Sequence, residues 1–382
     1  MMSAYSILLT IYMHSGLGQR TVLSDLPRAK NNFNRELTRP TTKIVAMTDI
    51  SYAAVALNWH RRLIQLGYSN DEAIIVAADD ATIEYFEKHL QIRVEPMLHP
   101  QSSGWPVANP DSRHQTRRRR IFASRWIYVL HQLKSGYSVL LTDADNIFVR
   151  YMNMSVLEDS EYDVFHAYCH NFPVNFLSMG FVICGGMMWL RGSIDGGVGK
   201  DGAALRYVES ILKDCGWNGT DESTEMDVFE GAIHASKRID PVPIRSQAAY
   251  CDDQSVINMK FFSNSLYYVW DNNTRPIDRF WKSEATGIAY ATGHSFKIWD
   301  VDTAYRGPVE GYGKKQNDTA NGEIIEKRCP NIDLNWVAMP YNTIGESKRL
   351  DEGESRMLRV KQWYEFCRNE TLSNQTSYFD TS

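Results

Sequence analysis

At 382 residues the chain is long enough for one large domain or two ordinary ones, with ample core. Its hydrophobic content of 43% and charged content of 23% are those of a soluble globular protein, and a net charge of −5 argues against a nucleic-acid partner. Aromatic residues reach 12%, with ten Trp, which suits pockets that stack flat rings or sugars and suits ordinary cores equally.

Ala4–Met13 is apolar but too short to span a bilayer, and no basic residues precede it as in a signal peptide. It reads as the trimmed end of a single membrane anchor or as a strand. Residues 1–40 as a whole read as an amino-terminal stem or truncated anchor that ends at Pro40. Six N-x-S/T sequons (Asn153, Asn218, Asn272, Asn317, Asn369, Asn374) imply passage through the secretory route if they are used; chance occurrence is the alternative. The six cysteines allow up to three disulfides, with Cys169 and Cys184 in apolar segments reading as core thiols. No C-x-x-C spacing points to structural zinc.

Lys43–Asp49 predicts a strand closing on polar residues, and Tyr52–Leu66 has the apolar spacing of a helix stopped by Gly67. Ala73–Ala78 predicts a buried strand ending in Asp79-Asp80, with Asp80 placed to cap a helix over Ala81–Leu90. Strand, helix, strand, helix is the pattern of a parallel α/β sheet. A loop rich in Pro, Gly and Ser follows, then a helix that opens with Arg117-Arg118-Arg119-Arg120 and ends near Gly136. That basic run is a solvated face, or lies near a diphosphate, or serves nuclear import, in falling order.

Ser138–Thr142 is a buried strand by composition and ends in Asp143-Ala144-Asp145. In an extended segment alternate residues point the same way, so both carboxylates can address a divalent cation such as Mn²⁺ or Mg²⁺. The triplet alone is weak, and a loop turn is the plain alternative. A second triplet, Asp300-Val301-Asp302, serves as a decoy, following no comparable apolar run. Further strands are expected at Tyr162–His166 and Phe181–Arg191, the latter with Gly185-Gly186 inside it. Such glycines mark close backbone approach to a ligand or packing against an aromatic. Ala203–Lys213 reads as helix, and Asp252–Asn258 as a helix start whose acidic residues capping explains only in part. A short strand ending in Gly293-His294, with Lys297 nearby, makes His294 a possible ligand against the commoner reading of a satisfied core histidine.

Taken in order, Asn58-Trp59, Asp79-Asp80, Arg125, Gly136–Asp145, Gly186–Arg191 and Asp253–Asn258 resemble the nucleotide-diphospho-sugar transferases of GT-A fold. The likeness is to the arabinosyl-, xylosyl- and galactosyltransferases of plants, algae and protists (the family 77 type), over roughly residues 41–300. It implies a mostly parallel central sheet with helices on both faces and a transferase domain taken over residues 41–345; residues 346–382 read by composition as a polar tail. It also implies a retaining transfer from a UDP-linked sugar to a glycan or glycoprotein acceptor, dependent on Mn²⁺ or Mg²⁺. By matching position, Asp143, Asp145 and His294 would hold the metal. Thr48, Asp49, Asp79, Arg125, Asp143, Ala144, Gly186 and Lys297 would line the nucleotide-sugar site. Asp253 and Gln254 would serve catalysis at the sugar, Asp253 as nucleophile or as positioning group. Cys184-Gly185 stands where the family has Asn before its glycine. That departure keeps open a catalytically silent sugar-nucleotide- or glycan-binding protein, and a metal-dependent phosphodiesterase is a more distant third class. With the sequons, the likeness implies a single-pass type II protein of the Golgi lumen, or a secreted one.

Overall fold

The computed structural model describes residues 41–97, 113–168, 183–193, 202–214, 256–258, 260, 268–270, 284–300, 303–308, 336–341, 354, 357, 358, 360 and 361, within the compact unit Arg39–Ser382. For residues 89, 113–123, 213, 214, 268–270, 305–308 and 338–341 only the backbone is described.

Strands β1 (Thr42–Thr48) and β2 (Ala73–Ala77) are runs of Ile, Val and Ala buried along nearly all their length, as strands covered on both faces must be. Two-residue β3 (Glu95–Pro96) follows β2, and β4 (Ser138–Thr142) is buried at every position. Side chains alternate between two cores. Val45, Val76, Val139 and Leu141 enter one; Ile44, Ala46, Ile75 and Leu140 enter the other. Helix α1 (Ala53–Leu66) covers the second face with Ala53, Ala56, Trp59 and Leu63, at the three- and four-residue steps of an amphipathic helix. It stops at Gly67, whose φ of 101° lets its N–H reach back to the carbonyls of Ile64 and Leu63.

The next helix departs from expectation. α2 (Asp80–Glu84) begins one residue earlier and passes into a π-helical turn over Tyr85–His89. Its cap is Asp79, not Asp80: Asp79 Oδ1 accepts from Thr82 N at 2.8 Å and Thr82 Oγ1 at 2.6 Å. Asp79 is the extended residue, and only an extended residue can turn its side chain back onto the first free N–H groups. The first core is closed by α3 (Arg113–Lys134) through Trp126, Val129, Leu130 and Leu133. After the short α4 (Ser155–Glu158), α5 (Ala203–Asp214) joins it with Tyr207, Val208 and Ile211.

The remaining large-sheet strands are β6 (Val164–Tyr168), β7 (Ile183–Leu190), β8 (Tyr268–Trp270), β9 (Ala285–Ala289) and β10 (His294–Ile298), in the order β3-β2-β1-β4-β7-β6-β10-β9-β8. Only β7 and β9 run against the other strands, so the sheet is mostly parallel with helices on both faces. A small sheet of β11 (Ala304–Pro308), β12 (Val337–Tyr341) and β5 (Ile147–Phe148) accompanies it. The chain leaves β1 for β2 on one side and enters β4 on the other, so the carboxyl ends of β1 and β4 flank a topological switch point.

Two features bear on the site. Opposite β4, strand β7 keeps register from Leu190 with Val139 to Met187 with Thr142. Opposite β6 it pairs Met188 with His166 and then Cys184 with Ala167, so Gly185, Gly186 and Met187 face no β6 residue. The second concerns His294, which begins a strand rather than ending one. β9 and β10 form a hairpin turning at Gly293 (φ 73°), and the alternating burial of His294-Ser295-Phe296-Lys297-Ile298 is that of the strand after the turn. Asp300 also follows a strand, contrary to the expectation for the decoy triplet, and its Oδ1 accepts from Thr303 N at 2.6 Å.

Candidate functional site

Beyond Thr142 the chain does not stay extended. Asn146 N donates to Asp143 O at 3.1 Å and closes a turn over Asp143–Asn146. Asp143 and Asp145 are therefore first and third residues of a turn, not alternate residues of a strand, and the period-two argument for their common direction does not apply. They also differ in setting: the Asp143 side chain is 43% exposed, whereas Asp145 is buried.

Asp143 is fixed from three sides. Its N–H donates to Gly186 O at 2.9 Å, one step beyond the β4–β7 ladder. Its Oδ1 accepts from Arg125 Nη1 at 3.0 Å, while Nη2 of the same guanidinium donates to Gly185 O at 2.8 Å. Only 4% of the Arg125 side chain is exposed, so its bond to Gly185 O is buried, where charge assistance counts most, while the bond to Asp143 is half-buried. The third side is Gly186 itself. A Cβ at that position would fall inside the Asp143 carboxylate, so only glycine lets the side chain lie where it does. Gly185-Gly186 thus marks close approach to a carboxylate of this chain. Sequence reasoning missed Asn146: its Nδ2 donates to Gly186 O at 2.7 Å and to Thr142 Oγ1 at 3.0 Å, bracing the turn against β7. The available signal was a further polar residue directly after the triplet and before the apolar Ile147-Phe148-Val149.

The other predicted residues divide by their position in the sheet. Thr48 and Asp49 close β1 beside β4; Asp49 Oδ1 accepts from Ser51 N at 3.0 Å and caps the turn Ile50–Tyr52. Asp79 caps α2 at the end of β2, so both acidic groups already serve their own backbones. Ala144 packs against the second core. Arg117–Arg120 fall in the backbone-only part of α3. Asp253 and Gln254 lie outside the described residues.

Lys297 and His294 are not brought to Asp143. Lys297 Nζ is 2.7 Å from Glu284 Oε2 and lies over the Tyr162 ring. Registers align Leu141, Met188, His166 and Ile298, so His294 sits six residues below Asp143 along the strand direction. At about 3.3 Å per residue this is about 20 Å, with two strands intervening. His294 is fully buried. Its Nδ1 is 2.6 Å from Thr292 Oγ1, and its ring lies 4.4 Å from that of Tyr207, which in turn meets His166 edge-on at 5.9 Å. Burial pulls His166 down to about 3, and burial with neighbouring His166, Arg206 and Lys260 pulls His294 well below the ordinary histidine value. Both are neutral core residues at neutral pH. Cys184 is likewise a buried thiol in the second core.

Could this edge hold a divalent cation? Asp143 and Asp145 supply hard oxygen donors in one short turn, and Asp143 is open to solvent. Such a pair fits an ion that draws its remaining ligands from substrate phosphates and water. It does not form a protein cage: among the described residues no group of three or more His, Cys, Asp or Glu could hold a metal.

No curated protein sequence matches the chain. Similar solved structures include the galactosyltransferase LgtC in complex with donor and acceptor sugar analogues (TM-score 0.37, 10% identity, 85% of this chain and 95% of that one). Others are mouse xyloside xylosyltransferase 1 in its apo form (0.33, 10%, 70% and 88%) and a glycosyltransferase involved in glycosylating the major capsid of PBCV-1 (0.33, 10%, 85% and 99%). Those likenesses are loose. Residues 69–196, by contrast, match the profile of the nucleotide-diphospho-sugar transferases, and that stretch contains Arg125, the Asp143 turn and Gly186. Over that stretch the chain is similar to the nucleotide-diphospho-sugar transferases.

Proposed function

We propose that the protein transfers a sugar from a UDP-linked donor to a glycan or glycoprotein acceptor, with retention of anomeric configuration and in dependence on Mn²⁺ or Mg²⁺. The observation that carries this reading is the Asp143 carboxylate, half-exposed at the carboxyl edge of β4 and backed by a buried Arg125. Asp143 and Asp145 would hold the cation. When bound, such an ion supplies Lewis-acid neutralisation of the charge that develops on the leaving diphosphate. Arg125 holds Asp143 in place through Oδ1 and gives the site a fixed positive charge on the protein side of that carboxylate. Asp253 and Gln254 are assigned to the sugar, Asp253 beside the anomeric carbon as nucleophile or as positioning group. The family 77 type is the closer assignment we propose.

The compartment proposed is the Golgi lumen, with a single amino-terminal anchor; no helix among the described residues is long and apolar enough to cross a membrane. Asn153 suits modification there, being exposed, with its Oδ1 accepting from Ser155 N at 3.1 Å and its amide nitrogen left for the glycan. A mobility shift after glycosidase treatment of the native protein is expected; none would count against this compartment.

A sugar-nucleotide panel with Mn²⁺, reading released nucleoside diphosphate and the anomeric proton of the product, tests the activity. We expect turnover of one donor, a product of the donor's own anomeric configuration, and loss of turnover on chelation. An inverted product would overturn retention, and chelator-resistant turnover would overturn the metal. Tight binding without turnover of any donor would favour the silent binding protein.

A further inference from the structure

We propose that Asn146 is the positioning residue that sets the Asp143 turn for metal and donor binding, with Thr142 as its partner. The inference rests on the metal-dependent reading above. Asn146 is buried, and its polar contacts converge on the two backbone units that place Asp143. Its N–H closes the turn on Asp143 O at 3.1 Å. Its Nδ2 donates to Gly186 O at 2.7 Å, the same carbonyl that receives Asp143 N at 2.9 Å. That Nδ2 also donates to Thr142 Oγ1 at 3.0 Å, and this hydroxyl donates onward to Asp143 O at 3.0 Å.

The bond to Gly186 O ties the turn to β7 at the point where β7 breaks register with β6, and the other contacts close the turn itself; β6 gives Gly186 no ladder support there. A strand in that condition needs a brace from its other side, and one amide supplies it. Gly186 bears the Asp143 carboxylate, so a shift of its backbone shifts the carboxylate directly. Capping its own turn would need only the backbone N–H; the side chain's reach of 40 residues along the sequence to Gly186 is what a local turn former does not require. An apolar residue of similar size would fill the space and leave Gly186 O with one donor instead of two. Metal sites depend on such outer contacts to aim their ligands, with typical losses of about 10- to 100-fold in metal affinity when one is removed.

The test is Mn²⁺ binding followed by electron paramagnetic resonance, with and without UDP, in the full chain and in Asn146→Ala, Thr142→Val and Thr142→Ser. We expect the dissociation constant of Mn²⁺ with UDP to rise about tenfold or more in Asn146→Ala. A smaller rise, about threefold, is expected in Thr142→Val, which keeps the shorter bond to Gly186 O, and Thr142→Ser should stay near the parent. Donor KM should rise in parallel while acceptor KM stays unchanged. A merely structural asparagine would lower the melting temperature and leave the Mn²⁺ affinity of the folded fraction untouched, and that result overturns the proposal. Should Asn146→Ala fail to fold, the Thr142 pair decides: equal affinities for Val and Ser overturn it. If the parent chain binds no Mn²⁺ under either condition, the metal-dependent reading itself falls, which is a different outcome from a parent that binds and variants that bind equally.

Discussion

Two clusters of titratable groups lie on this sheet, one at its carboxyl edge and one within the first core. At the carboxyl end of β4, Arg125 donates to both the Asp143 carboxylate and the carbonyl of Gly185. Inside the first core, from the level of Leu141 down to the start of β10, His166, Tyr207 and His294 stack ring against ring, and burial strips the histidines of charge. Each holds a residue that the sequence offered for chemistry, Asp143 in one and His294 in the other. What separates them is access: a half-exposed carboxylate on a rigid backing can meet a ligand, whereas a neutral imidazole beneath a sheet has become hydrophobic filling with a polar edge.

The sharpest way to break the contrast is to exchange the expected phenotypes. Asp143→Ala should lower transfer at least about 100-fold, the order of loss for removing one electrostatic stabiliser, read as turnover of the folded fraction. It also leaves buried Arg125 without its carboxylate, so Asp143→Asn is the cleaner partner for comparison. Next comes Gly186→Ala. The added methyl must push the carboxylate aside, and about a tenfold loss of activity with a folded protein is expected, read as kcat/KM for the donor.

The histidine stack should respond to acid rather than to substrate. Both folded-state values lie below the ordinary 6.5, so as pH falls the unfolded chain takes up protons first. Their stabilising contribution is therefore complete above about pH 6.5 and is lost progressively below it, toward the folded value of about 3 for His166. Each histidine adds to the loss, because the unfolded chain binds its proton while burial keeps the folded one from doing so. Urea midpoints measured at pH 7 and pH 5 should differ less in His166→Asn than in the parent. The smallest effect expected is on activity: His294→Asn should leave the Mn²⁺ dependence of transfer within about twofold, because His294 stands about 20 Å down the strand direction from the turn. A strong loss of metal dependence there would return His294 to the site.

Local pattern carried much of the architecture. The β-branched run before Asp143 could hardly be anything but a buried strand, and Gly67 and Gly136 mark real ends because both adopt positive φ. Arg125 entered the site only through the family likeness, as a residue near the nucleotide; its contact with Asp143 was not foreseen, since the rest of α3, a turn and β4 lie between the two and no periodicity links them. His294 was misplaced because a glycine was taken as closing a strand when it opened one. The alternation after it, His294 to Ile298, carried the correct answer. Asp49 and Asp79 look alike in sequence to Asp143, each following a strand, yet they spend their carboxylates on caps. Only three-dimensional partners tell a capping carboxylate from an available one.

The glycine pair of β7 has a consequence for parity. Met187 and Cys184 are three residues apart, which in a regular strand puts them on opposite faces, yet both belong to the same core, with Ala167 and Phe165. Met188 and Ile183, five apart, likewise share the other core. Gly185 and Gly186 therefore absorb an odd step, and everything before them in β7 is inverted relative to everything after. An inserted or deleted residue at this point would exchange Cys184 and Ile183 between the two cores, so the segment should reject changes of length far more strongly than changes of side chain at 185.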